Sequence, residues 1–341
     1  MKRILLSCFL LLSAYTLKAQ DACLNDVVNT LKERITLAGY AQVGYTYDDV
    51  GEKASNTFDL KRVIFMARGK ITDKWSCYFM YSFANTGKIL EAYTEYQFLP
   101  QLTARIGQFK TMYTIENPMS PCFVELISCY SQAVNYLAGI NGSDPLYGSS
   151  SGRDMGILIY GDLFKKKLSY NFAVMNGQGI NLKDKNNQKD IVGGLMVHPL
   201  DWLSVGGSFI KGKGCAVVAS AINPDIAVGD NYTRNRWSAG ATIQTKPVSL
   251  RTEYLAGKDG HIKSDGYYAT ASVHVLPKFD IVASYDYFNK DKAQDYKQSN
   301  YVAGVQWWFY PKCRLQAQYT YCNPHKGESS NLLQAQLQVR F

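Results

Sequence analysis

Several features of ordinary enzymes and nucleic-acid-binding proteins are missing from this 341-residue sequence. Its net charge of +9 is not gathered into a Lys/Arg stripe, which argues against a nucleic-acid-binding face. Its four histidines are isolated from one another, so no cluster of closely spaced metal ligands is evident. No glycine-rich phosphate loop or dinucleotide fingerprint precedes a helix. We therefore predict no nucleic acid partner, no metal and no cofactor.

Catalytic pairs are equally scarce. Ser272 and His274 share one face of a strand, but no carboxylate that could orient the histidine is evident. Glu91 and Glu95 are four residues apart in a strand. That spacing is about 13 Å, beyond the roughly 5–9.5 Å between glycosidase carboxylates. The sequence therefore predicts a protein that is not an enzyme.

The number of cysteines limits how many disulfides can form. Eight cysteines are present, and Cys8 lies in the leader described below, which leaves seven. An odd number cannot form a complete disulfide framework. Cys122 and Cys129 lie in one long loop, and whether they form a disulfide is left open.

Long apolar runs are absent apart from the N-terminus. Lys2 and Arg3 precede a short apolar stretch at 4–14. This stretch is about half the ~20 residues that a transmembrane helix needs. The pattern therefore predicts a secretory signal peptide at 1–19. Residues 20–34 are expected to form an N-terminal periplasmic segment.

What the sequence does contain is alternation with a period of two. Apolar residues alternate with polar ones in runs of about ten, as in LLQAQLQVRF at 332–341. The 25 Tyr, 15 Phe, 5 Trp and 27 Gly suit strands and tight turns. Sixteen strands are predicted, at 35–48, 58–71, 74–84, 89–99, 102–110, 153–162, 167–176, 190–198, 201–212, 234–245, 247–256, 265–275, 278–288, 299–310, 312–322 and 331–341.

The connections between these segments alternate between short and long. Seven are short, and five of these contain proline, which fixes φ for a turn and cannot donate to a β ladder. Short turns at one end and long loops at the other are typical of an outer-membrane barrel, because closure leaves no backbone group unpaired in lipid. We therefore predict an all-β fold at 35–341, a 16-stranded antiparallel transmembrane β-barrel. A secreted sandwich or propeller is the alternative.

The third long loop, at 111–152, is by far the longest and is largely apolar. Loops of this length are rare and are usually functional. We expect it to fold inward as a constriction loop, since a sixteen-strand barrel is wide enough to hold an aqueous lumen. A cap outside the barrel and a subunit contact are the alternatives. An inward fold would bury Phe123, Val124, Leu126, Ile127 and Tyr136.

Four stretches carry a family resemblance: LEAYTEY at 90–96, GQFK at 107–110, GRDMGILIYGDLF at 152–164 and YNFAVMNGQGINLKDKNNQKDIVGGL at 170–195. They resemble the phosphate-selective porin O/P family. The resemblance implies a homotrimeric porin with an inward third loop in the outer membrane of a Gram-negative, Bacteroidetes-type bacterium. Implied partners are outer-membrane lipid, the barrel assembly machinery and small anionic or polar solutes. By resemblance to outer-membrane barrels, Phe341 is the terminal aromatic that the machinery recognises.

Residues on the inward parity of the strands are the candidates for lining the pore. Fixed cations beside a narrow water path attract anions. However, carboxylates share the same faces, and the loop at 111–152 contains no Lys or Arg. A constriction that grips phosphate needs cationic donors, so a mixed Arg/Glu constriction fits as well. The strand candidates are Arg62, Arg68, Lys70, Arg105, Arg251, Glu91, Tyr93 and Glu95, and the loop candidates are Glu116, Glu125 and Asp144.

These observations together predict an outer-membrane porin. It would form a water-filled channel for passive diffusion of small polar solutes, with an anion or phosphate preference left open. The alternative is a non-conducting barrel that acts in adhesion, secretion or envelope structure.

Overall fold

The structure, a computed structural model, describes residues 32–50, 54–141, 146, 148 and 150–341. Within these residues the chain forms sixteen strands, and a short helix lies in the longest loop. The strands are β1 (Ile35–Asp48), β2 (Ser55–Lys70), β3 (Trp75–Ser82), β4 (Lys88–Leu99), β5 (Leu102–Lys110), β6 (Arg153–Leu163), β7 (Leu168–Met175), β8 (Asp190–Leu200), β9 (Leu203–Cys215), β10 (Asn231–Gln244), β11 (Val248–Asp259), β12 (Ile262–Leu276), β13 (Phe279–Asp291), β14 (Tyr296–Tyr310), β15 (Cys313–Pro324) and β16 (Ser330–Arg340), and the helix is α1 (Gln132–Leu137).

The sixteen strands close into an antiparallel barrel. Each strand pairs with its neighbours in sequence, and β16 closes the ring against β1. The closing register runs from Tyr40 opposite Arg340 to Asp48 opposite Leu332. Closure satisfies the backbone groups that an open sheet edge would expose to lipid. The prediction of a 16-stranded barrel is therefore confirmed.

The two faces of the barrel follow the period-two pattern. On β16, Leu333, Leu337 and Val339 are exposed on the outer face. Gln336 and Gln338 point inward and are buried by chain that fills part of the lumen. Because the side-chain period is two, one register fixes the face of every residue in the strand.

Aromatic side chains gather at the two ends of the outer face, as they do at membrane interfaces. Near the turn end, Phe279 and Trp307 stack with ring centroids 6.1 Å apart. Near the loop end, ring contacts cross successive strands from β10 to β15. The side chains in this loop-end aromatic belt are Trp237, Tyr254, Tyr267, Tyr285, Tyr287, Tyr301 and Tyr321.

The prediction of a long loop is wrong at two connections. Strands β11 and β12 continue to a two-residue turn at 260–261, and β13 and β14 are joined by only 292–295. The hairpin ladder continues past the apolar belt because backbone groups pair as well in water as in lipid, while the side-chain alternation ends. The remaining long connections are at 111–152, 176–189 and 216–230.

The predicted signal peptide at 1–19 lies outside the described residues, and so does most of 20–34. Residues 32–34 of that segment are helical. Across the described ranges, the helices are all too short or too polar to cross a membrane.

Candidate functional site

The segment 111–152, which joins β5 to β6, contacts inward-facing side chains on the opposite wall of the barrel. Gln338 on β16 donates to the Cys122 carbonyl at 3.2 Å. Gln318 on β15 accepts from the Ile127 backbone N–H at 2.8 Å. These partners are separated by about half the chain, so the contacts are tertiary and span the lumen.

Arginines on the far wall hold this segment in place. Arg251 on β11 is 6% exposed and lies between two loop carboxylates, 3.1 Å from Glu116 and 2.9 Å from Glu125. Arg314 on β15 donates to the Val124 carbonyl at 2.7 Å. Arg236 on β10 donates to the Leu137 carbonyl at the end of α1. We call β10–β16 the anchoring wall.

Carboxylates of the anchoring wall accept hydrogen bonds from the loop backbone. Glu253 accepts from the Ile115 N–H at 3.0 Å, and Asp286 accepts from the Gln132 N–H at 2.8 Å. Gln132 is the first residue of α1, where an anion is favourable. A buried polar group without such a partner would cost free energy, so the pattern fixes one position of the loop.

Glu116 links the two halves of the loop. Its carboxylate accepts from the Ser131 N–H at 2.9 Å as well as from Arg251, and its side chain is fully buried. Burial raises the pKa of the Glu116 carboxyl above its ordinary value, and the positive charge of Arg251 opposes this shift.

The neck of the loop requires a glycine. Gly152 has a φ of +67°, and a Cβ there would lie 1.9 Å from Asn117 Oδ1. Asn117 in turn donates to the carbonyls of Thr111 and Gly152 at 2.8 and 3.0 Å. The two ends of the loop are therefore tied together by one amide.

Apolar side chains of the loop form a core inside the barrel. Val124, Leu126, Ile127 and Tyr136 are buried, as expected for an inward fold. Phe123 is not buried: it is 58% exposed, and the Arg340 guanidinium lies 4.3 Å from its ring centroid. The expectation for Phe123 is therefore wrong, because its neighbours in the loop turn toward the wall while it turns toward the lumen at the turn end.

A second group of charges lies on β2, β4 and β5, which we call the open wall. Glu95 accepts from Arg68 at 2.9 Å and from Arg105 at 2.7 Å. The Arg68 side chain keeps 47% of its surface exposed. Two arginines thus share one carboxylate, and this pair of cations is only half neutralised.

Tyrosines support the cations of the open wall. The Arg105 guanidinium lies 4.0 Å from the ring centroid of Tyr93 and 5.2 Å from that of Tyr160. Tyr160 also donates to Glu95 at 2.9 Å. Cation–π contacts of this kind hold the charge without neutralising it.

The other strand candidates lie on the same side of the barrel in different surroundings. Arg62 donates to Gln42 at 2.9 Å, and Lys70 pairs with Asp73 at the turn end, 2.7 Å away. Glu91 is buried and pairs with Arg153 at 2.9 Å. The structure therefore brings Arg68, Arg105, Tyr93 and Glu95 together, but places Arg251 across the lumen.

Some functional contacts were missed by sequence reasoning. Arg236, Arg314 and Asp286 hold the loop but were not among the candidates. Their inward parity was visible, but partners 99 to 190 residues away in sequence were not. Asp144 lies outside the described residues.

Phe341 sits beside the first strand. Its backbone N–H donates to the Gly39 carbonyl at 3.1 Å, and the Phe341 side chain is exposed on the outer face. A Cβ on Gly39 would lie 2.6 Å from Phe341 Cζ, so glycine makes room for the ring.

Cys122 and Cys129, whose pairing was left open, are free thiols in the structure. Among the described residues, no group of three or more His, Cys, Asp or Glu lies close enough to hold a metal ion. His274 does have a carboxylate neighbour, contrary to expectation: its Nδ1 lies 2.7 Å from Asp280, which also accepts from Trp308 Nε1 at 2.7 Å.

A closed ring of sixteen antiparallel strands with an apolar outer face and polar inner residues defines the class of outer-membrane porins. The family model for phosphate-selective porins O and P matches residues 35–127 and 222–341. The chain belongs to this family, and it is an outer-membrane channel for passive diffusion. The match omits two of the stretches on which the resemblance rested, at 152–164 and 170–195.

Solved porin structures share the fold. The anion-selective porin from Comamonas acidovorans superposes with a TM-score of 0.67 at 16% identity, covering 90% of this chain and 99% of that chain. OmpF of Salmonella typhi, in complex with daunomycin, superposes with a TM-score of 0.67 at 12% identity, covering 90% of this chain and 97% of that chain. The DcaP channel of Acinetobacter baumannii superposes with a TM-score of 0.64 at 11% identity, covering 90% of this chain and 97% of that chain. No curated protein of similar sequence was found.

Proposed function

We propose that this porin passes small polar solutes with a preference for anions, and that Arg68 and Arg105 are the selecting residues. The observation that carries the proposal is the sharing of Glu95 between these two arginines on the wall that the loop does not anchor to. A net positive wall beside a narrow water path raises the local concentration of anions.

The loop at 111–152 narrows the passage in this proposal. Its carboxylates Glu116 and Glu125 share one cation, Arg251, so this group stays net negative, but Glu116 is fully buried and Glu125 is mostly buried. The lumen then has a largely buried anionic side and a partly exposed cationic side. Arg62 and Lys70 extend the cationic side toward the two ends of the barrel, and Tyr93 and buried Glu91 complete its lining.

The site supports a general anion preference better than a phosphate-specific grip. A phosphate site needs several donors that converge on one ion, whereas Arg68 and Arg105 both point at Glu95. We expect phosphate and sulfate to reduce the chloride current at similar concentrations. Phosphate block at a hundredfold lower concentration than sulfate would contradict this.

Reversal potentials in planar bilayers test the selecting residues. A charge about 6 Å from a permeating ion, in water-like surroundings, is worth about 0.7 kcal/mol, or about threefold in permeability. Each lost charge lowers the anion permeability and raises the cation permeability by this factor, so R68Q/R105Q should lower the anion-to-cation permeability ratio on the order of a hundredfold. The matched control K165Q/K166Q removes two charges from the β6–β7 turn and should leave the ratio unchanged.

Two results would overturn the proposal. Absence of single-channel steps in the wild type would favour the non-conducting alternative. Cation selectivity of the wild type would remove the role of Arg68 and Arg105 while leaving the channel in place.

We also propose the assembly that the family resemblance implies, a homotrimer inserted by the barrel assembly machinery after cleavage of residues 1–19. Phe341 on the outer surface beside β1 supports the insertion step. The intact mass of the mature protein tests the cleavage site. The mass of the unheated complex in detergent tests the trimer, and a monomeric mass would refute it.

A further inference from the structure

A row of lysines crosses the outer face of the barrel at the loop end. The strand registers place Asn235 on β10 directly opposite Lys211 on one side and Lys258 on the other. Lys258 lies directly opposite Lys263 on β12. The four positions therefore form one continuous line across β9–β12, at right angles to the strands, with neighbouring strands about 4.8 Å apart. We call Lys211, Lys258 and Lys263 the lysine row.

The lysine row lies just beyond the loop-end aromatic belt. Trp237 lies two residues after Asn235 on β10, on the side toward the apolar belt, and it is paired with Phe209 on β9. Two residues along a strand span about 7 Å. Aromatic belts mark the boundary between hydrocarbon and headgroups, so the row is at the depth of the lipid headgroups.

The three lysines are not neutralised by the protein. Each is exposed, and none forms an ion pair with a residue that the structure describes. The neighbouring carboxylate, Asp265, instead accepts from Lys292 and from Tyr254. Like charges directly opposite in a sheet destabilise it, so Lys258 and Lys263 repel each other until an anion lies between them.

An open groove lies beneath this charge. Its volume is about 510 Å³, and it is lined by the three lysines, Trp237, Tyr254 and Phe209. The groove is cationic toward the loop end and aromatic toward the apolar belt. A molecule that fits both parts has an anionic head and an apolar tail.

We propose that the lysine row is a binding site for phosphorylated lipid headgroups of the outer leaflet. The lysines contact the phosphates, and the aromatic side chains contact the start of the acyl chains. The site faces away from the lumen, so it is separate from the proposed selecting residues and does not depend on them. Binding would offset the repulsion within the row and fix the depth of the β9–β13 side in the membrane.

Lipid binding by the full-length protein, purified in a neutral detergent, tests the proposal. The probe is lipid A with two phosphates, and binding is counted by native mass spectrometry. Lysines near a membrane surface each strengthen anion binding severalfold. We expect the variant K211Q/K258Q/K263Q to bind at least about tenfold more weakly than the wild type. The control K165Q/K166Q/K278Q, with the same charge change at the turn end, should bind like the wild type.

Two further probes separate the sources of phosphate. Lipid A without its phosphates should bind the wild type and the triple variant equally weakly. Inorganic phosphate at millimolar concentration should not displace lipid A. Equal lipid binding by the triple variant, or displacement by inorganic phosphate, would overturn the proposal. If the triple variant does not fold, K258Q alone should still show weaker binding, and unchanged binding would count against the site.

Channel measurements distinguish this site from the pore. Because the lysine row faces outward, the triple variant should keep the wild-type conductance and reversal potential. A change in selectivity equal to that of R68Q/R105Q would place these lysines in the permeation path and contradict the proposal.

Discussion

The anchoring wall and the open wall use the same residue types with opposite results. On the anchoring wall one arginine, Arg251, lies between two carboxylates. On the open wall one carboxylate, Glu95, lies between two arginines. The first arrangement is net negative and almost wholly buried, whereas the second is net positive and partly exposed to the lumen. The ratio of partners, more than the number of arginines, decides what each wall can do.

The largest expected effect comes from breaking the anchoring wall. Arg251→Gln leaves the fully buried Glu116 without its cation, and breaking one side of a buried ion pair costs about 3–5 kcal/mol. We expect the loop at 111–152 to become a chymotrypsin substrate in R251Q while the wild-type loop resists cleavage. The double variant E116Q/R251Q should recover part of the resistance, since the fully buried carboxylate is then gone and only the partly buried Glu125 is left without its cation. Equal resistance of R251Q and wild type would show that the pair does not hold the loop.

A smaller effect is expected from removing the shared carboxylate of the open wall. Glu95→Gln leaves Arg68 and Arg105 without their shared carboxylate, so the anion-to-cation permeability ratio should rise by about tenfold. Reversal potentials in a salt gradient measure this change. Asp201→Asn removes a fully exposed carboxylate at the turn end, where its partner is Lys167, and serves as the control. A lower anion preference in E95Q would mean that Glu95 positions the arginines more than it neutralises them.

The smallest effect is expected at the one exposed apolar residue of the predicted loop core. Phe123→Ala should change the free energy of docking the loop by less than about 0.5 kcal/mol, as surface substitutions usually do. Val124→Ala, next in sequence but fully buried, should increase the chymotrypsin sensitivity of the loop. Similar sensitivity in the two variants would contradict the opposite orientation of these neighbours.

The strands could be predicted closely because lipid on one side enforces alternation. The predicted and observed bounds of β1 and β5 are identical. The errors concentrate at the loop end of β9–β14. There polar residues such as Lys258 and Lys263 lie on the outer face, so the contrast between faces ends while the backbone ladder continues. Hydrophobic periodicity therefore reveals the part of each strand that faces lipid, but it does not reveal the full length of the hairpin.

The site was predictable in its composition but not in its pairing. Inward parity placed Glu95 and Arg105 on neighbouring strands and Arg68 only two strands from Glu95, so their contact was foreseeable. The partner of Arg251 could not be read from the sequence, because Glu116 lies 135 residues away and meets it only across the lumen. Helix α1 was also missed, since six residues inside an apolar loop give too little periodicity to detect.

The path of the loop at 111–152 also has a mechanical meaning. It leaves the wall between β5 and β6 and is fastened to β11 through Arg251 and to β15 through Arg314. Flattening a closed ring of strands changes the distances between strands on its different sides. A brace fixed at three points around the circumference resists that flattening. The loop therefore stiffens the cross-section of the barrel in the plane of the membrane.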